Sequence, residues 1–126
     1  MIETLIYNTL LASTAITRIV GTRIYALEVP EDTTLPALSY RIVSAVSSPT
    51  FATSGMTKYR VQIDCWADGK TQGYSQAVAL RDAVISSLNG YIDAYMSSFS
   101  ASISDQFEHE LLQYVCSCDF YILSTL

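Results

Sequence analysis

The chain has 126 residues, of which 50% are hydrophobic and only 15% are charged, whereas an ordinary soluble domain carries about 25% charged residues. This length suits a single domain spanning residues 1–126. Seven Lys and Arg against twelve Asp and Glu give a formal net charge of −5, which excludes a role that depends on neutralising nucleic-acid phosphates with a basic stripe. The shortage of charge and the nine tyrosines predict that neighbouring subunits cover part of the surface.

The sequence has no feature that directs it out of the cell or into a membrane. Three cysteines, Cys65, Cys116 and Cys118, are an odd number in a small chain and are not typical of a secreted disulfide framework. The N-terminal Met1-Ile2-Glu3-Thr4 lacks the basic region of a signal peptide. No apolar run approaches the about 20 residues of a membrane span. We therefore expect the protein to be made in a reducing cytoplasm and to have no membrane partner.

The N-terminal half of the chain predicts a helix followed by a hairpin. Apolar residues at helical spacing begin the chain, and an alternating pattern follows after an acidic loop that contains Pro30. Within the first long strand we expect Leu38, Tyr40, Ile42 and Val46 to share one face. The elements predicted here are a helix over residues 2–13, a short helical turn over 15–20 that ends at Gly21, a short strand over 23–27, an exposed loop over 28–35, and strands over 37–46 and 57–67 that pair around the loop 47–57.

The C-terminal half predicts a second helix and two further strands. The helix carries a stripe that is apolar except for Arg81, and Asn89-Gly90 is a typical helix stop. Residues 91–98 have no clear pattern. The last strand is apolar on both faces, which predicts that it lies centrally in the sheet or is covered by a neighbouring subunit. The elements predicted here are a helix over 71–89, a strand over 99–108 in which Phe99, Ala101, Ile103 and Asp105 alternate with serines, a polar turn at 108–110, and a strand over 113–123.

These elements predict an α+β fold with a single antiparallel sheet of about four strands and two helices packed on one face. Each strand and helix has an apolar face, and a helix laid on a sheet buries both of those faces in one core. No repeat or linker divides the chain.

No catalytic, cofactor-binding or metal-binding residue is predicted. Cys116 and Cys118 are spaced Cys-x-Cys on one strand face, whereas zinc ligands normally come from Cys-x2-4-Cys pairs in turns. The sequence therefore favours buried cysteines over a metal site with Cys65 and His109. As a general base, His109 would need a nucleophile and an orienting group, and the sequence supplies neither.

Two charged groups have an alternative interpretation. Asp64 and Asp68 bracket Trp66 and could form a carboxylate pair, but their strand-end position favours solvated or interface residues. Arg81 on the apolar stripe could pair with Asp82 or Glu3, or extend to the edge of the core.

No phosphate-binding loop, nucleophile elbow or His-Glu-x-x-His motif is present. The chain is therefore not expected to be an enzyme.

The order of motifs resembles the small tail-completion, or tail-terminator, proteins of long-tailed bacteriophages. In that family an arginine, an apolar residue, a glutamine, an apolar residue and an aspartate precede an aromatic residue, and here Arg60 to Asp64 are followed by Trp66. The resemblance covers about residues 1–90, with a looser match beyond. The other matching features are the helix Ile2 to Leu11, the turn Gly21-Thr22-Arg23-Ile24-Tyr25, the loop with Pro30, the strand entry Leu35-Pro36-Ala37-Leu38-Ser39-Tyr40, and the helix with Ala77, Leu80, Val84 and Leu88.

The resemblance implies a structural role in the virion without cofactors. It implies a ring, commonly a hexamer, on the head-proximal end of the tail tube. One face of that ring binds the tube protein, and the other is offered to the neck or connector protein of the head. DNA passes through the ring and is not bound specifically.

The resemblance also suggests which residues serve these contacts. Phe51 and Met56, on a loop with no evident core to enter, and Tyr121 and Leu123, on the last strand, are candidates for the subunit or tube interface. The acidic side chains expected to line or border the lumen are Glu28, Glu31, Asp32, Asp64 and Asp68, since like charge keeps DNA from sticking.

Three alternatives stay open at this point. The first is a head–tail connector stopper or adaptor protein, which is also small and oligomeric. The second is a small dimeric binding module, which would use one self-complementary patch instead of two different patches. The third is a small α+β enzyme, which would show a pocket with at least two strongly shifted titratable groups.

Overall fold

The computed structural model describes residues 2–47, 55–69, 73–93 and 96–125, with Ala101 described by its backbone only. Three helices lie in these ranges. Helix α1 spans Ile2–Ala12, α2 spans Thr14–Val20 and α3 spans Gly73–Leu88. Ser13 separates the first two, because its hydroxyl accepts a hydrogen bond from the Ile16 amide and so caps the start of α2. Gly21 ends α2, as predicted.

Five strands form one sheet in the order β1-β2-β3-β5-β4. Strand β5 lies between β3 and β4, so the interpretation of the last strand as central is confirmed. The hairpin of β2 and β3 is confirmed as well, with Tyr40 opposite Ile63. The strands are β1 (Ile24–Ala26), β2 (Ala37–Val46), β3 (Thr57–Asp68), β4 (Met96–Glu108) and β5 (Gln113–Ser124).

The α+β class and the single sheet are confirmed, but the expected count and pairing are partly wrong. The described chain has three helices and five strands, with one further single-residue bridge between Ile92 and Ser97. Strand β1 pairs with β2 in parallel, so the sheet is not purely antiparallel. The loop after β1 returns to the end of the sheet where β1 began, and β2 starts there in the same direction. A three-residue strand is too short to reveal its partner by alternation.

Two β-bulges change which side chains share a face. The pairing shifts between Ile42 and Ser44 in β2 and between Ser100 and Ser102 in β4. An extra residue moves every following side chain to the other face. Val46 therefore lies on the opposite face from Ile42, and Phe99 lies on the opposite face from Ile103. The predictions that these residues share a face were wrong for this reason.

All three helices contribute to one core on one face of the sheet. The fully buried side chains include Ile6 from α1, Ile16 from α2, Leu80 from α3 and Phe120 from β5. Cys65, Cys116 and Cys118 are buried in the same core. Burying a side chain of this size contributes about 1.5–3 kcal/mol to stability. The opposite face of the sheet carries no helix within the described residues, and we call it the helix-free face.

Candidate interaction surfaces

The helix-free face carries a network of polar side chains across β2, β3 and β5. Asp64 Oδ1 accepts hydrogen bonds from Gln62 Nε2 at 2.8 Å and from Ser117 Oγ at 2.6 Å. The side-chain oxygen of Gln62, Oε1, accepts a hydrogen bond from Arg41 Nη2 at 3.1 Å. Asp64, an expected lumen residue, is therefore held in place on the surface of the sheet, and Gln62 links it to Arg41.

An ion pair on the same face joins two central strands. Arg60 Nη2 lies 2.6 Å from Asp119 Oδ2, and Arg60 Nε also donates to that oxygen at 3.1 Å. The pKa of Arg60 is raised, chiefly by this hydrogen bond. The Asp119 side chain is only 12% exposed, so the guanidinium shields the carboxylate from water.

Tyr121, one of the expected interface residues, lies in an aromatic and cationic cluster on this face. Its ring centre is 5.8 Å from that of Phe99 on β4, and Lys58 Nζ lies 4.1 Å from the Tyr121 ring centre. Phe99 is 41% exposed. The cluster therefore exposes aromatic surface on the helix-free face.

Two of the expected interface residues, Met56 and Leu123, lie close together. Both line a recess of about 150 Å³ at the end of the sheet where β3 begins and β5 ends. Ile92 also lines the recess and is 75% exposed. Sequence reasoning missed Ile92, which lies in the segment without a pattern. Phe51 lies outside the described residues.

The acidic loop lines a pocket of about 450 Å³ at the opposite end of the sheet. Glu28, Glu31 and Asp32 lie around apolar side chains that include Leu27 and Leu111. Leu27 is 74% exposed. Three acidic and several apolar side chains around one concavity suit a partner that is apolar and positively charged.

Trp66 fixes this pocket to the sheet. Its indole Nε1 donates to Ser39 Oγ at 3.1 Å on the neighbouring strand, and its side chain lines the pocket together with Gln113. Asp68 is exposed two residues later and is the register partner of Gln113. The structure thus brings Asp68 to the same end of the sheet as the acidic loop, whereas Asp64 lies further along β3.

The acidic pocket and the apolar recess lie at opposite ends of the central strands. Met56 directly precedes β3, and Trp66 lies two residues before its end. A strand rises about 3.3 Å per residue, so the two surfaces are roughly 35 Å apart. The molecule therefore has two concave surfaces with different linings at opposite ends of the central strands.

The cysteines are part of the core and not of a reactive site. Burial raises the pKa of the Cys116 thiol to about 12. A hydrogen bond to Cys118 and burial raise the pKa of Cys65 well above its ordinary value. Thiols with raised pKa values are poor nucleophiles and poor metal ligands. The described residues contain no group of three or more His, Cys, Asp or Glu side chains arranged to hold a metal ion.

His109 lies at the turn after β4 and stacks edge-on against Phe107, with ring centres 5.1 Å apart. Within the described ranges, no helix has the length and apolar character to cross a membrane.

Comparisons with known proteins found a matching family and a similar fold. A family model described as "Tail completion protein gp17" matches residues 4–104. The fold is similar to a chain in a solved structure described as "Virion of native gene transfer agent (GTA) particle", with a TM-score of 0.67 and 18% identity over 94% of this chain and 90% of that chain. At this identity the likeness shows the fold alone. No curated protein matches the sequence.

These findings define the class as structural proteins of the virion. The chain belongs to the tail completion protein gp17 family, whose model matches most of its length. The resemblance drawn from the sequence is thereby confirmed.

Proposed function

We propose that this protein closes into a ring, as a hexamer, on the head-proximal end of the tail tube. The ring ends polymerisation of the tube and forms the interface to the neck of the head. The observation that carries this proposal is the family match over residues 4–104. The mechanism is one of binding geometry: one face of the ring reproduces a tube interface and docks, and the other face lacks the next such interface.

The two ends of the sheet support a ring with two different faces. A protein that ends a polymer must bind it at one end only, so its two axial surfaces have to differ. Here the recess around Met56 and Leu123 is mainly apolar and has one acidic side chain, Asp93, in its lining, whereas the pocket around Glu28 and Glu31 has three acidic side chains. A symmetric dimer has no need for two such surfaces, because it uses one patch twice.

The apolar recess is the surface we assign to the tube. Met56 and Ile92 offer an adaptable thioether and an exposed aliphatic side chain beside Leu123, and such surfaces bury well in a protein contact. Tyr121 and Phe99 lie on the same half of β5 and β4 and extend this surface on the helix-free face. Phe51, in the loop before Met56, belongs to the same proposal.

The acidic end is the surface we assign to the neck side and to the border of the DNA passage. Glu28, Glu31 and Asp32 are exposed, and so is Asp68. Their charge repels the phosphates of passing DNA, over roughly 8–10 Å at physiological salt. Asp64 contributes less to this repulsion, because Gln62 and Ser117 hold it and Arg41 lies nearby.

Tube growth in solution tests the proposal. Purified tail-tube protein is allowed to polymerise with increasing amounts of this protein, and tube lengths are measured by electron microscopy. We expect shorter tubes, with a gold-labelled copy of this protein at one end only. Unchanged tube lengths, with binding to a connector ring instead, would overturn the proposal in favour of a head–tail stopper or adaptor.

A further inference from the structure

The sheet has two open edges, and they are the last unpaired strand segments of the described chain. Strand β1 pairs with β2 only from Leu38 to Tyr40. Two further hydrogen bonds join the Leu38 amide to the Arg23 carbonyl and the Leu27 amide to the Tyr40 carbonyl. The outer edge of β2 from Arg41 to Val46 has no backbone partner among the described residues. An open strand edge is a template for pairing with another chain.

The opposite edge of the sheet is divided in the same way. The first part of β4 is covered by the chain after α3, because the Gly90 amide donates to the Ser98 carbonyl at 2.9 Å and the Ser98 amide donates to the Tyr91 carbonyl at 2.8 Å. From Ser102 to Glu108, alternate backbone groups point away from β5, and the described chain supplies them with no backbone partner. This segment contains no Lys or Pro, the residues that commonly protect an edge.

The two open edges are complementary. Arg41–Val46 carries one positive charge and no acidic side chain, whereas Ser102–Glu108 carries Asp105 and Glu108 and no basic side chain. Strands β2 and β4 run in opposite directions in the sheet, because each is linked through antiparallel neighbours. A second copy rotated about an axis along the strands therefore brings its β2 antiparallel to β4.

We infer that β4 of one subunit pairs with β2 of the next copy of this chain, and that this seam closes the ring. The inference deepens the proposed function and rests on it for the ring. The register that satisfies both charge and sidedness places Arg41 opposite Glu108 of the next copy. It then places Ile42 opposite Phe107 and Ser44 opposite Gln106, with the bulge residue Val43 left unpaired.

This register keeps equivalent faces together. Arg41 and Ser44 belong to the helix-free face, since they pair with Gln62 and Arg60, whose side chains lie in the polar network there. Glu108 and Gln106 belong to the same face, because they alternate with Ile103 and Phe107 after the bulge of β4. The apolar Ile42 meets the apolar Phe107 on the helix side. The seam thus continues one sheet into the next without inverting it.

The offset in strand register between one subunit and the next matches the strand tilt of a closed β-barrel. Within one subunit, Arg41 and Ser102 lie at the same height along the strands, because Arg41 pairs with Gln62, Gln62 with Asp119, and Asp119 with Ser102. Across the seam, Arg41 lies opposite Glu108 instead. Each subunit adds four strands to the closed sheet, from β2 to β4, because β1 lies outside the seam. An offset of about six residues at 3.3 Å, across four strands about 4.8 Å apart, tilts the strands by roughly 45°. Strands of closed barrels tilt by 35–45°. Six such units, with four strands each, give a ring roughly 50 Å across at the backbone.

Variants with one added cysteine test the seam directly. Ser44→Cys and Gln106→Cys place thiols on exposed positions of the two edges, and the native cysteines are buried. Each variant, and an equal mixture of the two, is concentrated and treated with a short bis-maleimide. We expect covalent dimers in the mixture only. A chain that carries both substitutions should give a series of cross-linked species, the largest of which contains as many copies as the ring. Asn8→Cys, on the exposed side of α1, is the matched control and should not cross-link with either.

Cross-linking of Gln106→Cys alone would indicate a symmetric pairing of β4 with β4 and would overturn the inference. So would the absence of cross-links both in concentrated protein and in protein bound to tube ends. A charge swap gives a second test. Arg41→Glu and Glu108→Arg should each weaken assembly at least tenfold in dissociation constant at low salt, and the double variant should recover most of the loss. Recovery cannot arise from misfolding. Seam formation without any effect on tube length would refute the capping function alone, whereas capping without the seam would refute this inference alone.

Discussion

Arg81 of α3 and Asp105 of β4 form an ion pair, with 2.8 Å between Arg81 Nη1 and Asp105 Oδ1. The Tyr74 hydroxyl donates to the other oxygen of Asp105 at 2.7 Å. The Arg81 side chain is 14% exposed, and its Nε is buried without a hydrogen-bond partner in the described part of the chain. This pair attaches the long helix to the edge strand that carries one half of the proposed seam.

Replacing Asp105 should destabilise the fold. Asp105→Ala leaves Arg81 as a largely buried cation without this partner, and we expect a loss of about 1–2 kcal/mol in the free energy of unfolding. The loss is smaller than the about 3–5 kcal/mol of a fully buried pair, because water reaches Asp105. Urea unfolding measures it. Asp82→Ala is the matched control: Asp82 also contacts Arg81, at 3.4 Å, but is exposed, and its change should stay within about 0.5 kcal/mol.

The stabilisation from Asp105 should depend on pH. The Tyr74 hydrogen bond, and next the interactions with Cys116 and Arg81, hold the pKa of Asp105 below its ordinary value, while burial acts in the opposite direction. Because the pKa of Asp105 is lower in the folded state than in the unfolded state, the ionised group stabilises the fold at pH values above its unfolded pKa of about 3.9. This stabilisation is lost as the pH falls through the folded pKa. The difference in unfolding free energy between wild type and Asp105→Asn should therefore be constant from about pH 7 to 5 and shrink below about pH 4. A difference that grows on acidification would contradict this assignment.

Gly73 should not tolerate a side chain. It begins α3 where the chain passes the end of β3, and a Cβ there would overlap the Asp68 carbonyl oxygen and lie 3.3 Å from Tyr114 Cδ2. Gly73→Ala should cost about 1–3 kcal/mol, since backbone must move to admit the methyl group. Ser75→Ala, on the exposed side of the same helix, should change the stability by less than about 0.5 kcal/mol. Equal midpoints for the two variants in thermal unfolding would show that the start of α3 is not crowded.

Trp66 should report the charge of the acidic pocket. It is the single tryptophan of the chain and lines the pocket with Glu28, Glu31 and Asp32. At low salt, caesium ions should quench its fluorescence more strongly than iodide does, because the pocket attracts cations. The triple neutral variant Glu28→Gln, Glu31→Gln, Asp32→Asn should bring the two quenching constants together. Added salt should do the same in the wild type.

Met56 should be needed for binding to the tube. Met56→Asp adds a second acidic group, beside Asp93, to the recess that Leu123 lines. Desolvating this charge on docking should weaken binding to tube ends by at least tenfold. Co-sedimentation with tubes measures the affinity. Thr4→Asp, on the exposed side of α1, adds the same charge away from the recess and should bind as the wild type does. Equal affinity of the two variants for tube ends would show that the recess is not part of the tube interface.

Local periodicity predicted the long elements and failed where pairing depends on single residues. Strand β3, helix α3 and the central position of β5 follow from alternation and helical spacing along many residues. The bulges at Val43 and at Ala101 have no sequence signature among small and β-branched residues. They decide that Val46 and Phe99 lie on faces other than those expected.

The candidate surfaces were partly predictable for a similar reason. Leu123 and Met56 were nominated separately, because each is apolar where no core was expected, and the fold brings them into one recess. The partner of Arg81 was expected in Asp82 or Glu3. Asp82 is a contact, but the closer partner is Asp105, which is 24 residues away in sequence. Contacts across the sheet depend on strand order, which alternation does not encode.

The mass of the protein in solution, alone and with tail tubes, tests the central claim most directly. Light scattering gives the mass, and electron microscopy of the heavier species shows its symmetry. The account predicts a closed ring of six copies, either free or formed from monomers at one end of each tube. A stable dimer whose mass does not change in the presence of tubes would contradict it.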